Sequence, residues 1–236
     1  MPGQPKHKVV RIPEFKEVVY DKRRWELLKD LRSEAHKIML ALNRCGFSPI
    51  VHGSIARGDV SKRSDIDVVI PYTVQPYLVL TCIENSGLHI YSKYIIQATP
   101  ASTPKAYIEL DPEGLKTISF PLGHLSPREW EFYKFGGLLD IHGLKEGKRV
   151  PGVNKSLLLI VPTKYGHKEA PVIGYEDFTA KVIGISIETV QERIRVLTKR
   201  DMYGRTGVFL KYVLVGDENF EEAFRKLVKS GRIRHP

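Results

Sequence analysis

Apolar positions in residues 21–44 recur at helical spacing. Trp25, Leu28, Arg32, Ala35, Met39 and Leu42 fall on one face, and Arg32 alone interrupts the stripe. The pattern predicts a long amphipathic helix ended by Gly46 as a C-cap. Residues 49–52 read as a short strand running into Gly53-Ser54. Residues 65–70 read as a second strand, stopped by Pro71. Pro76 fits the first turn of a helix reaching Asn85, with Gly87 beyond it. Three strands follow over 88–98, 105–110 and 115–120, separated by Pro- and Gly-containing turns.

Ser126-Pro127-Arg128-Glu129 opens another helix, with Ser126 as N-cap, Pro127 at N1 and Glu129 completing a capping box. Residues 138–174 carry one clear apolar strand, 157–161, among many Gly and Pro residues. They read as a linker or a small β subdomain. Beyond Tyr175 the pattern gives a short helix (176–183), the turn Gly184-Ile185-Ser186, a longer helix (187–200) and a strand (208–215). Asp217 then caps a final amphipathic helix with Phe220, Ala223, Phe224, Leu227 and Val228 on one face. Helices and strands in this order give a mixed α/β layer structure, a mixed sheet with flanking helices. The expected division is 1–124, a connecting segment 125–174, and a C-terminal helical unit 175–236.

The 37 Lys and Arg against 27 Asp and Glu leave a net charge of +10, which favours polyanionic partners such as nucleic acid or nucleotide phosphates. No apolar run approaches the length that spans a bilayer, so no membrane partner is expected. The basic stretch Met1–Arg11 has no apolar run behind it, and no secretory signal is visible. Cys45 and Cys82 fit no metal spacing. A disulfide between them is open, but buried or half-buried thiols in a reducing cytoplasm are the simpler expectation. Scarce Asn and Gln beside abundant Lys, Arg and Glu hint at a thermophilic composition.

Candidate chemistry concentrates in His52-Gly53-Ser54-Ile55-Ala56-Arg57-Gly58-Asp59 and Ser64-Asp65-Ile66-Asp67-Val68-Val69-Ile70. A Gly-Ser turn at a strand end can offer backbone N–H groups and a hydroxyl to a phosphate. Asp65 and Asp67, two apart on a strand, project from one face. Converging carboxylates there suit Mg2+ or Mn2+ shared with nucleotide phosphates. Arg57 can bind phosphate oxygens bidentately. His52 reads as structural.

Gly-Ser, ten residues, then Asp-hydrophobic-Asp-hydrophobic resembles the signature of the DNA polymerase beta nucleotidyltransferase superfamily. The Ser-x-Ala-Arg-Gly-Asp and Ser-Asp-Ile-Asp details are most similar to its minimal archaeal and bacterial members. The resemblance covers residues 20–122 and implies the nucleotidyltransferase fold. It implies that Gly53 and Ser54 hold a triphosphate and that Asp65 and Asp67 bind the metals. A third carboxylate on a later strand completes the metal site in that family, and Glu109 is the candidate here. Asp111 shares its face. The strand 115–120 also resembles the family's third-carboxylate strand, with Ser119 where an acid is expected. The implied reaction is in-line attack of an acceptor hydroxyl on the α-phosphorus of a nucleoside triphosphate, with pyrophosphate leaving.

Ala180, Gly184, Ile185 and Val190 have the spacing of a helix-turn-helix unit. Thr189, Gln191, Arg193, Arg195, Lys199 and Arg200 decorate its second helix. Strand 208–215 can serve as the wing of a winged helix-turn-helix, and residues 175–236 are the expected nucleic-acid contact. Two functions compete: a metal-dependent nucleotidyltransferase, and a non-catalytic nucleic-acid-binding regulator on a degenerate fold of the same kind. An acid within metal distance of Asp65 and Asp67 favours the first.

Overall fold

A computed structural model describes residues 12–204 and 207–233. The basic stretch Met1–Arg11 lies outside the described residues.

The chain opens with strand β1 (Lys16–Val19) and helix α1 (Lys22–Arg44). Asp21 caps α1 by accepting from the Arg24 N–H at 2.8 Å. Strand β2 (Ile50–His52), the short helix α2 (Ser54–Arg57) and strand β3 (Ile66–Val69) follow. Next come helix α3 (Pro76–Asn85) and strands β4 (Ser92–Gln97), β5 (Lys105–Glu109) and β6 (Lys116–Pro121). Helix α4 (Pro127–Phe135) starts with the expected capping box of Ser126 and Glu129. Strand β7 (Leu138–Asp140), helix α5 (Ile141–Lys145) and strands β8 (Gly152–Val153), β9 (Leu158–Thr163) and β10 (Gly166–Pro171) form the middle of the chain. Helices α6 (Glu176–Ile183) and α7 (Ile187–Tyr203), strand β11 (Leu210–Val213) and helix α8 (Phe220–Lys229) complete it.

Among the described residues the strands form two sheets. The larger is mixed and has the order β11-β4-β5-β6-β3-β2-β7; the smaller is antiparallel and has the order β1-β10-β9-β8. In the larger sheet, β3 and β6 run parallel while its other neighbours run antiparallel. Ile66, Val68, Ile108, Ile118 and Phe120 fill one of its faces and pack with Leu28, Ala35, Met39 and Leu42 of α1, Val79 and Ile83 of α3, and Phe220 and Leu227 of α8. These side chains have left water almost completely, which is the main favourable term for the fold. The opposite face is polar near its centre and is roofed by α4 through Tyr133 and Phe132. A second core joins Phe135 of α4 to Leu159 of β9, Ala180 of α6 and Val190 of α7.

Two expectations need correcting. The strand expected as a wing pairs instead with β4, Leu210 opposite Gln97 and Val213 opposite Tyr94. It is an edge of the larger sheet, and α8 packs on that sheet through the Phe120–Phe220 ring contact at 5.8 Å. Strand β7 completes the other edge beside β2, so segments 125–174 and 175–236 both contribute to the main sheet. Second, Cys45 and Cys82 are not free thiols. They form a disulfide that joins the end of α1 to α3, with the Cα atoms 6.1 Å apart. Such bonds are rare in reducing compartments outside hyperthermophiles, which removes the ground for treating a reducing cytoplasm as the simplest setting.

Among the described residues no helix is long and apolar enough to cross a membrane.

Candidate active site

The hairpin of β2 and β3 sets the site. Ile50 pairs with Val69 and Val51 with Val68. Continuing that register places His52 beside Asp67, and Gly53-Ser54 level with Ile66 and Asp65. Gly53 turns the chain into α2 with φ +77° and ψ −146°, a conformation essentially closed to residues with a Cβ. The Ser54 hydroxyl lies 3.1 Å from that of Ser64, which ties the turn to the residue before Asp65. At the start of a helix the first backbone N–H groups have no partner inside the helix.

Three buried or half-buried arginines hold this loop from behind. Arg32, the residue that interrupts the apolar stripe of α1, donates from Nε to the Ile55 carbonyl at 3.0 Å and from Nη2 to the Ile55 and Ala56 carbonyls at 2.9 and 3.1 Å. Burial lowers its guanidinium to about 10, with the charge of Arg149 adding to the effect. Arg149 donates to the carbonyls of Thr163 and Gly166 in the small sheet. Its Cδ would lie 2.4 Å from a Cβ on Gly58, so the loop and Arg149 fit only with glycine there.

Arg57, expected to contact a phosphate, is the third. It points inward, with its side chain 6% exposed, and forms a two-pronged pair with Asp59 at 3.0 Å on each prong. Its Nη1 donates to the Gly136 and Val153 carbonyls. Its donors are occupied by the protein, so the geometry gives it a supporting part and not a phosphate contact.

Asp67 lies on β3 and Asp65 immediately before it, and the field of both reaches the His52 ring. Asp65 is partly exposed, with Lys155 Nζ 3.6 Å from its Oδ2. Asp67 accepts a hydrogen bond from Thr117 Oγ1 at 2.8 Å. Glu109 does not join them. In the sheet register Asp67 pairs with Thr117, and Thr117 pairs with Glu109. With strands about 4.8 Å apart, the Cα atoms of Asp67 and Glu109 are separated by roughly 10 Å. Glu109 instead hydrogen-bonds Tyr94. The strand beside Asp67 is β6, and its residues on the site face are Thr117 and Ser119. Among the described residues no cluster of three or more His, Cys, Asp and Glu side chains is arranged to hold a metal ion.

Two carboxylates still suit one kind of cation. Mg2+ is commonly bound through one or two carboxylates together with substrate phosphates, and is rarely enclosed by protein alone. Asp65 and Asp67 fit a cation that arrives with a nucleotide.

The surprise is what surrounds Asp67. It lines a cavity of about 190 Å3 together with His52, Lys105, Tyr107, Ser119, Phe132 and Tyr133. Burial pushes the His52 imidazole below its usual range, against the opposing field of Asp67. Burial also lowers the Lys105 ammonium and raises the Tyr107 phenol to about 12, so that phenol keeps its proton. None of these residues except Asp67 stood out as ligands in the sequence. Period-2 alternation places Lys105, Tyr107 and Glu109 on one face of β5, but only the arrival of α4 makes that face a cavity.

Residues 32–113 match the nucleotidyltransferase domain family, consistent with the DNA polymerase beta-like superfamily. The matched segment contains Gly53, Ser54, Asp65, Asp67 and Glu109 and stops short of β6. No curated protein and no solved structure matches the chain.

Proposed function

From a chain whose residues 32–113 carry a nucleotidyltransferase domain, we propose that it transfers a nucleoside monophosphate from a nucleoside triphosphate to an acceptor hydroxyl, releasing pyrophosphate. The observation that carries this reading is the β2–β3 register. It sets the Gly53-Ser54 turn level with Asp65 and one step from Asp67. The turn offers backbone N–H groups and the Ser54 hydroxyl to phosphate oxygens. Asp65 and Asp67 would hold Mg2+ or Mn2+ together with those phosphates. A bound divalent cation supplies neutralisation of the phosphate charge. The chain supplies position: Arg32, Arg57 and Arg149 fix the loop, and Thr117 fixes the Asp67 carboxylate.

A second reading rests on one observation, the lack of a third acid beside Asp67 among the described residues. On it, the chain binds a nucleotide as a regulator without transfer. Nucleic acid remains a candidate partner through α7, where Gln191, Arg195, Lys199 and Arg200 are exposed. Thr189 and Arg193 are spent on α4, the first bonding Glu131 and the second lying 4.8 Å over Phe132.

Pyrophosphate release from each of the four nucleoside triphosphates with Mg2+ separates the readings. Binding without release supports the regulator. In either case Asp67→Asn should abolish Mg2+-dependent nucleotide binding, seen by calorimetry, while leaving the melting temperature near that of the parent. Unchanged binding would remove Asp67 from the site.

A further inference from the structure

We propose that the cavity on the Val69 side of Asp67 receives the acceptor, and that this acceptor is a small hydroxyl compound bearing an anionic group that Lys105 binds. The inference rests on nucleotidyl transfer at Asp65 and Asp67. Direction comes first. The Gly53-Ser54 turn lies at the level of Ile66 and Asp65. The cavity lies at the level of Asp67 to Val69, because Ser119 pairs with Val69 and Tyr107 pairs with Ser119. The loop and the cavity therefore flank Asp67 from opposite directions along the strand. In an in-line displacement the entering oxygen and the leaving pyrophosphate stand on opposite sides of the phosphorus. With the phosphates at the turn, the hydroxyl enters from the cavity.

Size sets the class. At about 190 Å3 the cavity is smaller than the roughly 300–1,000 Å3 of a pocket that buries a drug-sized ligand. Single-stranded nucleic acid is held in grooves that follow several nucleotides of backbone. Here Phe132 and Tyr133 of α4 roof the space. A nucleic-acid end has no such track at this site.

Lys105 sets the charge. Its ammonium sits 4.9 Å from the Tyr133 ring centroid and 5.9 Å from that of Phe132. Among the described residues no carboxylate lies within ion-pair distance of it. The acid whose field reaches it, Glu129, is bonded to Thr103 and Ser126. A half-buried cation without a counter-ion favours an incoming anion, and burial has already pushed its titration down, a cost that an anion would reverse. The rings of Tyr107, Phe132 and Tyr133 suit the apolar body of the compound.

In the transfer a bond forms between the acceptor oxygen and the α-phosphorus. The bond from that phosphorus to the bridging oxygen breaks, and its electron pair leaves with pyrophosphate. The hydroxyl proton passes to water.

The test uses the full chain loaded with Mg2+ and a non-hydrolysable nucleoside triphosphate analogue. Calorimetry measures binding of three probes: glycerol phosphate, glycerol, and a ten-nucleotide single-stranded RNA. Glycerol phosphate should bind and glycerol should not. Lys105→Met should weaken glycerol phosphate about tenfold or more, with Lys105→Arg recovering part of the loss and the melting temperature and analogue affinity of both variants near those of the parent. RNA should neither compete with glycerol phosphate nor depend on Lys105. Failure of glycerol phosphate to bind, indifference to Lys105→Met, or displacement by RNA overturns the inference. If the parent fails to bind the analogue at all, the transfer reading itself falls.

Discussion

The two sheets divide the work unevenly. The larger is seven-stranded, with one face buried under α1, α3 and α8, and its strands come from both halves of the described chain. The smaller is four-stranded, shares a modest core with α6 and α7, and buries His167 and carries Lys168 and Glu169 in β10. Yet the smaller sheet receives the side chains that brace the loop of residues 53–59. Val153 of β8 accepts from Arg57, and the carbonyls of Thr163 and Gly166 accept from Arg149. The difference teaches that stability and site geometry are supplied from different places. The larger sheet keeps the chain folded, and the smaller braces the loop of residues 53–59 through backbone carbonyls.

The sharpest way to break this comparison is to remove residues 207–236. The cut takes β11 from the sheet edge and Phe220, Ala223 and Leu227 from the core, where Phe220 and Ala223 are 0% exposed. Truncating a buried Phe costs about 3–5 kcal/mol and a buried Leu about 2–5 kcal/mol, against a whole-domain stability of about 5–15 kcal/mol. The shortened chain should lose its cooperative thermal transition by circular dichroism. A shortened chain that melts cooperatively would show that β11 and α8 are not needed to keep the larger sheet folded.

Arg57→Ala tests the join between the sheets. It strands Asp59, whose side chain is 8% exposed, without its partner. Breaking a buried pair by removing one member costs about 3–5 kcal/mol, read as a fall in the urea midpoint. Nucleotide affinity of the folded fraction should fall only modestly, because Arg32 and Arg149 still hold the loop. A stable variant that no longer binds nucleotide would restore Arg57 as a phosphate contact.

These two predictions also mark how far the sequence could be read. The hairpin was legible because its signals are local: Gly53-Ser54, the strand stop at Pro71, and carboxylates two apart. Caps were legible for the same reason, as at Ser126-Glu129 and the positive-φ Gly184. The final helix begins at Asn219 in place of Asp217, a shift within one turn. Strand β11 was seen as a strand, but its partner β4 lies far back in the chain, and no local pattern names a partner. β1 and β10 escaped because their sequences, Lys16–Val19 and Gly166–Pro171, are short and carry Lys, Glu and His where apolar alternation is expected. The disulfide escaped because two cysteines carry no register. In the site, Arg32 did leave a trace, as the one polar residue in an apolar stripe. Glu109 misled because alternation gives the face of a strand and not the order of strands; β6 sits between it and Asp67.

Within the larger sheet, Gly53→Ala sharpens the contrast between backbone and side-chain supports. No heavy atom lies within 4 Å of the added Cβ, so space is not at issue. The cost is conformational, about 1–3 kcal/mol for a residue held in such a region. Stability should fall by that amount, and nucleotide affinity should fall with it as the turn relaxes. A variant of parental stability and affinity would show that the turn does not need this conformation.

The smallest effect belongs to the small sheet and depends on pH. His167 is buried, with its Nδ1 2.6 Å from the Tyr20 hydroxyl and its Nε2 3.4 Å from Glu169. Burial lowers its titration below the ordinary 6.5; Glu169 and Asp59 oppose, and Arg24 assists. The Tyr20 phenol, raised to about 12 by burial, keeps its proton and can donate to a neutral ring. The folded chain therefore resists a proton that the unfolded chain accepts. Stability is fully present above about 6.5, where both states are neutral, and is lost as pH falls from there toward the folded value. The partly buried His52, whose titration desolvation also lowers, acts in the same direction. His167→Asn should flatten part of the decline in urea midpoint between pH 7.5 and pH 5, by less than the Gly53 variant shifts the midpoint. An unchanged slope would place the acid sensitivity of the protein wholly outside the small sheet, and leave that sheet as a passive brace for the arginines.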